Sequence, residues 1–115
     1  MGEAALMNRL TTEIRELKPL LHQHLVDQEG DMQPYVLMAD VSRWAHDNST
    51  QVPNRVSQLT RLLEREYATG DAAIQDLIGA GFVETLPESP EGDAVLNLLG
   101  PALRELAEDM NLFAS

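Results

Sequence analysis

Three histidines and nineteen carboxylates dominate the reactive side chains of this sequence, and there is no cysteine. Disulfides and thiolate chemistry are therefore excluded, and zinc would be left with His and carboxylate ligands. His22-Gln23-His24 is the first metal suspect. On a strand, alternate residues share a face and can chelate together; on a helix, residues two apart point in different directions. The surrounding pattern is helical, so both read as exposed or half-buried structural histidines. His46 has no partner nearby in sequence and reads the same way. Asp27-x-Glu29-Gly30-Asp31 has the look of a calcium loop, but an EF-hand needs glycine at its sixth position and a carboxylate at its twelfth. Counted from Asp27, the glycine falls fourth and the twelfth residue is Met38. The segment reads as a polar turn between helices.

Nucleophile and phosphate-cradling motifs are absent: there is no G-x-S-x-G, no phosphate-binding glycine loop and no H-E-x-x-H. Paired carboxylates are so frequent in an acidic chain that a pair carries no weight. A glycosidase dyad also needs a larger cleft than a helical chain of 115 residues usually offers. The expectation is a protein that is not an enzyme and has no metal or cofactor.

Charge is the more informative feature. Eight basic and nineteen acidic residues give a formal charge of −11. Residues 1–65 hold nine acids and seven bases; residues 66–115 hold ten acids and one base, Arg104. Such a field repels nucleic acid and anionic lipid and attracts basic partners. The start of the chain lacks a basic leader with a continuous apolar run, and no segment approaches the ~18 apolar residues of a membrane span. The expectation is a cytoplasmic protein.

The elements that must position these groups read as short helices. The length suits one domain spanning residues 1–115. Leucine and alanine outweigh aromatic and β-branched residues, which favours helix. Leu6, Leu10, Ile14 and Leu17 are spaced as one helical face, and Pro19 either kinks that helix or starts another. Glu29-Gly30-Asp31 reads as a stop. Pro34 opens a helix through Val41 and Trp44, with a strand over residues 35–38 as the competing reading. Pro53 opens the clearest amphipathic helix, through Val56, Leu59, Leu62, Leu63 and Tyr67, with Arg61 and Arg65 pairing with the neighbouring Glu64 and Glu66. Gly70 ends it and Asp71 caps a short apolar helix over residues 72–82, in which Gly79 and Gly81 permit a close neighbour. Residues 86–93 form a Pro/Gly loop. The last helical segment breaks at Gly100-Pro101 and buries Leu103, Leu106 and Met110. The fold class is all-α, a compact bundle of five to seven short helices. A faint repeat at an offset of about 40 residues leaves helical-hairpin stacking as one arrangement.

The layout of helix, turn, helix, then Gly81-Phe82-Val83-Glu84 and a Pro/Gly loop resembles a winged-helix regulator of the MarR type. A recognition helix and wing need Arg or Lys, and residues 72–103 contain neither. Such a regulator would have to act through protein or ligand contacts.

Glu64-x-Glu66-x-x-x-Gly70-Asp71, Gln75-x-Leu77-Ile78, Phe82-Val83-Glu84-x-Leu86-Pro87, Leu98-Leu99-Gly100-Pro101-x-Leu103 and the earlier Met38-Ala39-Asp40-Val41-x-Arg43-Trp44 carry a family resemblance. Over residues 15–108 the chain resembles a family of small uncharacterised bacterial proteins, some associated with toxin–immunity gene clusters. The resemblance implies an α-helical binding protein and brings no catalytic residues. Gly79-Ala80-Gly81 departs from it, where a larger or polar residue would be expected. The leading functional expectation is an immunity-type inhibitor of a basic toxin or effector domain. Its candidate contacts are Asp71, Asp76, Glu84, Glu88, Glu91 and Asp93, with Tyr67, Trp44 and Phe82 as candidate aromatic anchors. For each aromatic the core reading is favoured over the interface reading.

Overall fold

The computed structural model describes residues 2–113. Helices α1 (Glu3–Glu13), α2 (Lys18–Asp27), α3 (Pro34–Asn48), α4 (Pro53–Thr69), α5 (Ala72–Asp76), α6 (Asp93–Leu96) and α7 (Pro101–Asp109) follow one another. A 3-10 turn, Arg15–Leu17, joins α1 to α2, and a π-helical segment, Leu77–Val83, extends α5. There is no strand among the described residues. Residues 35–38 are helical. Residues 82–98 hold the end of the π-helix, turns and α6, so no wing forms there.

Proline opens α2, α3, α4 and α7 within their first two positions. Its missing N–H lies where no intrahelical acceptor exists, and its fixed φ suits the first turn. Pro19 is thus a start and not a kink: the chain has already left α1 at Ile14, whose φ and ψ are −108° and 92°. Two helices end in a left-handed residue that is not glycine. After α2, Glu29 has φ 55°, and the Gly30 N–H donates to Leu25 O at 2.7 Å. After α7, Asn111 has φ 61°, and the Leu112 N–H donates to Ala107 O at 2.9 Å. In both, the orphan carbonyls of the last turn are met by amides beyond the helix. The two arms of the faint repeat end differently: Gly30 has φ 85°, whereas Gly70 is extended at φ −83° and ψ 162°.

One hydrophobic cluster fills the centre, built from α1, α3, α4, the π-helix and α7. The Cα radius of gyration, 13.2 Å, matches the roughly 13–14 Å of a compact chain this long. The π-helix packs most extensively on α3. A Cβ on Gly81 would stand 3.2 Å from Met38 Cγ, so glycine lets the two backbones approach. Ser42 Oγ donates to Phe82 O across the same contact at 3.2 Å.

The expected pairing within α4 is replaced by ties to other helices. Glu64 accepts from the Ala102 and Leu103 N–H groups, at 2.7 and 3.2 Å, and so caps α7 from outside. A carboxylate there satisfies orphan donors and meets the positive end of the helix dipole. Glu66 receives a two-pronged hydrogen bond from Arg9 of α1, at 2.9 and 2.7 Å. Arg55 makes the same fork on Glu16, at 2.7 and 2.6 Å. The hydrogen bonds from Arg55 hold the Glu16 carboxyl down to about 2 from its ordinary 4.5. The pair's stabilisation is therefore complete above pH 4.5 and is lost as pH falls toward about 2. Unfolding followed across that window is expected to lose part of its pH dependence in Glu16→Gln.

Candidate functional site

The histidines resolve first. His24 is buried, and its Nε2 accepts the Gln33 N–H at 2.9 Å, tying the turn after α2 back to that helix. This corrects the expectation of an exposed or half-buried residue. His22 is exposed. His46 is half-buried, with its Nδ1 enclosed and without a hydrogen-bond partner. Among the described residues no three His, Asp or Glu side chains are grouped to hold a metal.

The acidic candidates fall into two sets. Asp71 caps α5, its carboxylate accepting the Ile74 N–H at 3.1 Å. Gly70 before it lies against Glu66 O and Ile74, with no room for a Cβ, which turns the chain sharply from α4 into α5. One turn on, Asp76 is exposed and accepts the hydroxyl hydrogen of Tyr35 from α3. That bond pushes the Tyr35 phenol up to about 12. Glu84 is exposed just past the π-helix, where its N–H donates to Gly79 O five residues back, at 2.9 Å. Glu88, Glu91 and Asp93 are exposed in and after the loop over residues 86–92. Ser89 pins that loop by donating from N–H to Leu112 O at 2.7 Å and from Oγ to Asp93 Oδ1 at 2.6 Å.

Tyr67, Asp76 and Glu84 line one depression of about 450 Å³ between the ends of α4, α5, the π-helix and α7. The loop acids do not line it. Its floor and walls come from Gly79 and Ala80 of the π-helix, Gln75 of α5, and Leu106 and Met110 of α7. None of the lining residues is basic. Arg104, the one base after residue 65, lies instead over the Phe113 ring, 4.6 Å from its centroid. Tyr67 is half-buried, and its carbonyl accepts from Gln75 Nε2 at 3.1 Å.

Two anchors stand elsewhere. Phe82 is fully buried and belongs to the core, because the π-helix turns it inward between α3 and the rest of the cluster. Trp44 is half-buried and lines a second cavity of about 330 Å³ between α2 and α3, with Leu20, Asp27 and Asp40. Leu106 and Met110, expected in the buried face of the last helix, are only half-buried, and both line the depression. A π-helical turn, which is rare and recurs at functional sites, was not legible in the apolar spacing of residues 72–82. Its trace in the sequence is the run of small residues Gly79-Ala80-Gly81.

The geometry defines a small all-helical protein with a depression lined by one tyrosine, two carboxylates and the apolar side chains of Leu106 and Met110. The chain belongs to a family described as a domain of unknown function, DUF7674, whose model matches residues 7–114. Searches of curated proteins and of solved structures found no match. No helix among the described residues is long and apolar enough to cross a membrane.

Proposed function

We propose that this chain is a protein-binding module, an immunity-type inhibitor that neutralises a basic toxin or effector domain in the cytoplasm. The observation that carries the reading is the depression lined by Tyr67, Asp76 and Glu84, with no basic residue in its lining. In this reading the chain catalyses nothing and binds no nucleic acid, and its carboxylates occupy the place where the partner would hold phosphate. Long-range attraction to a chain of formal charge −11 speeds encounter and selects partners by sign. Most of the affinity comes from the few side chains that become desolvated, here Tyr67 and the apolar floor. Asp71, Glu88, Glu91 and Asp93 form the outer acidic surface, where single contacts add little. No observation favours the winged-helix reading.

Capture from an extract of the native host tests this. The partner is expected to be basic, to be released at about 0.5 M salt as exposed charges are screened, and to be toxic when produced without this chain. A neutral or acidic partner, or binding indifferent to salt, counts against the reading.

A further inference from the structure

We propose that the depression is a socket for one arginine side chain of the basic partner; this rests on the inhibitor reading above. Gly79 is buried, yet neither a left-handed φ nor tight packing requires glycine there. A Cβ would meet only Leu106 Cδ1, at 3.7 Å, which is ordinary contact. Two residues on, Gly81 is the opposite case, closed against Met38. Alanine would fit here against Leu106, so glycine leaves the depression wider by about one methyl group.

What fits the depression has an apolar stem and a cationic head. A long basic side chain lays its methylenes on apolar surface and keeps its charge at a polar rim. The lining offers Gly79, Ala80, Leu106 and Met110 to the stem and the carboxylates of Asp76 and Glu84 to the head. Asp76 already accepts the Tyr35 hydroxyl, but a carboxylate has further lone pairs free. Arginine is favoured over lysine because its planar, weakly hydrated guanidinium stacks on an aromatic face and takes a carboxylate in a two-pronged hydrogen bond. Tyr67 supplies the aromatic ring.

Titration of the isotope-labelled full chain with blocked Gly-Arg-Gly, and with its lysine and citrulline counterparts, tests the socket by NMR. Shifts are expected at Tyr67, residues 75–84 and residues 106–110, with arginine bound about two- to five-fold tighter than lysine. Citrulline, which has the shape without the charge, is expected to leave those signals unmoved. Gly79→Ala, for which there is space, and the surface change Glu84→Gln are each expected to weaken arginine binding by about two- to five-fold. Equal responses to arginine and citrulline, shifts centred on Glu88 and Glu91, or indifference to both variants would overturn the proposal. A basic, salt-sensitive partner that binds both variants as tightly as the wild type overturns the socket and leaves the inhibitor reading standing. Localised arginine binding in a chain that captures no basic partner supports the socket and sinks the inhibitor reading.

Discussion

Phe82→Ala is expected to lower the unfolding free energy by about 3–5 kcal/mol, the range for emptying a buried aromatic site. Phe82 is 0% exposed and among the largest fully buried side chains. Its carbonyl also accepts Ser42 Oγ of α3 and Thr85 Oγ1 of the next turn, so its backbone is held from two sides. That anchoring limits how far the π-helix can collapse into the vacated volume, which places the cost toward the upper end. A domain of this size has only about 5–15 kcal/mol in total. Denaturant unfolding followed by Trp44 fluorescence measures the loss. A change below about 1 kcal/mol would place Phe82 outside the core, because large losses come from emptied core sites.

Gly92→Ala is expected to destabilise the chain by about 3 kcal/mol, at the upper end for overpacking. A Cβ at this position would stand 1.9 Å from the carbonyl oxygen of Pro87 and 2.8 Å from its carbonyl carbon. Both are backbone atoms, so no side-chain rotation relieves the clash. The Gly92 N–H donates to Glu88 O at 2.9 Å, which draws the loop tightly round itself. Opening it would disturb Ser89 and its bond to Leu112 O, and so the end of the chain after α7. The amides of residues 86–93 and of Leu112 are expected to shift together, while those of residues 72–80 stay in place. A loss within about 0.5 kcal/mol would match an ordinary surface change and contradict the closed loop.

Much of the fold was legible because punctuation residues act locally. Proline sets the first turn of a helix whatever packs on it, so Pro34, Pro53 and Pro101 marked starts that the structure bears out, and of the two readings open for Pro19, start or kink, the structure shows the start. Asp71 likewise caps α5 through an amide three residues away. What the sequence concealed depends on partners distant along the chain. Glu64 and Glu66 sit beside Arg61 and Arg65 in sequence, yet Glu64 caps α7 and Glu66 takes Arg9. The π-helix is another case: apolar spacing over residues 72–82 fits an ordinary helix, and the wider turn shows only in the backbone hydrogen bonding, as where the Glu84 N–H reaches Gly79 O five residues back. Of the candidate site, residue type identified the carboxylates and Tyr67. Their division into a depression and a separate loop, and the open face of Leu106 and Met110, follow from tertiary placement alone.

In the proposed inhibitor, Tyr67, Asp76 and Glu84 form the face that holds the basic partner. The affinity of the captured partner for the double charge reversal Asp76→Lys with Glu84→Lys tests this. Both residues are exposed; Asp76→Lys also removes the acceptor of the Tyr35 hydroxyl, an exposed bond whose loss costs about 1 kcal/mol, so the folded state should persist. Affinity is expected to fall by about ten-fold or more, with the larger change at low salt. Undiminished binding by a folded double variant would contradict it.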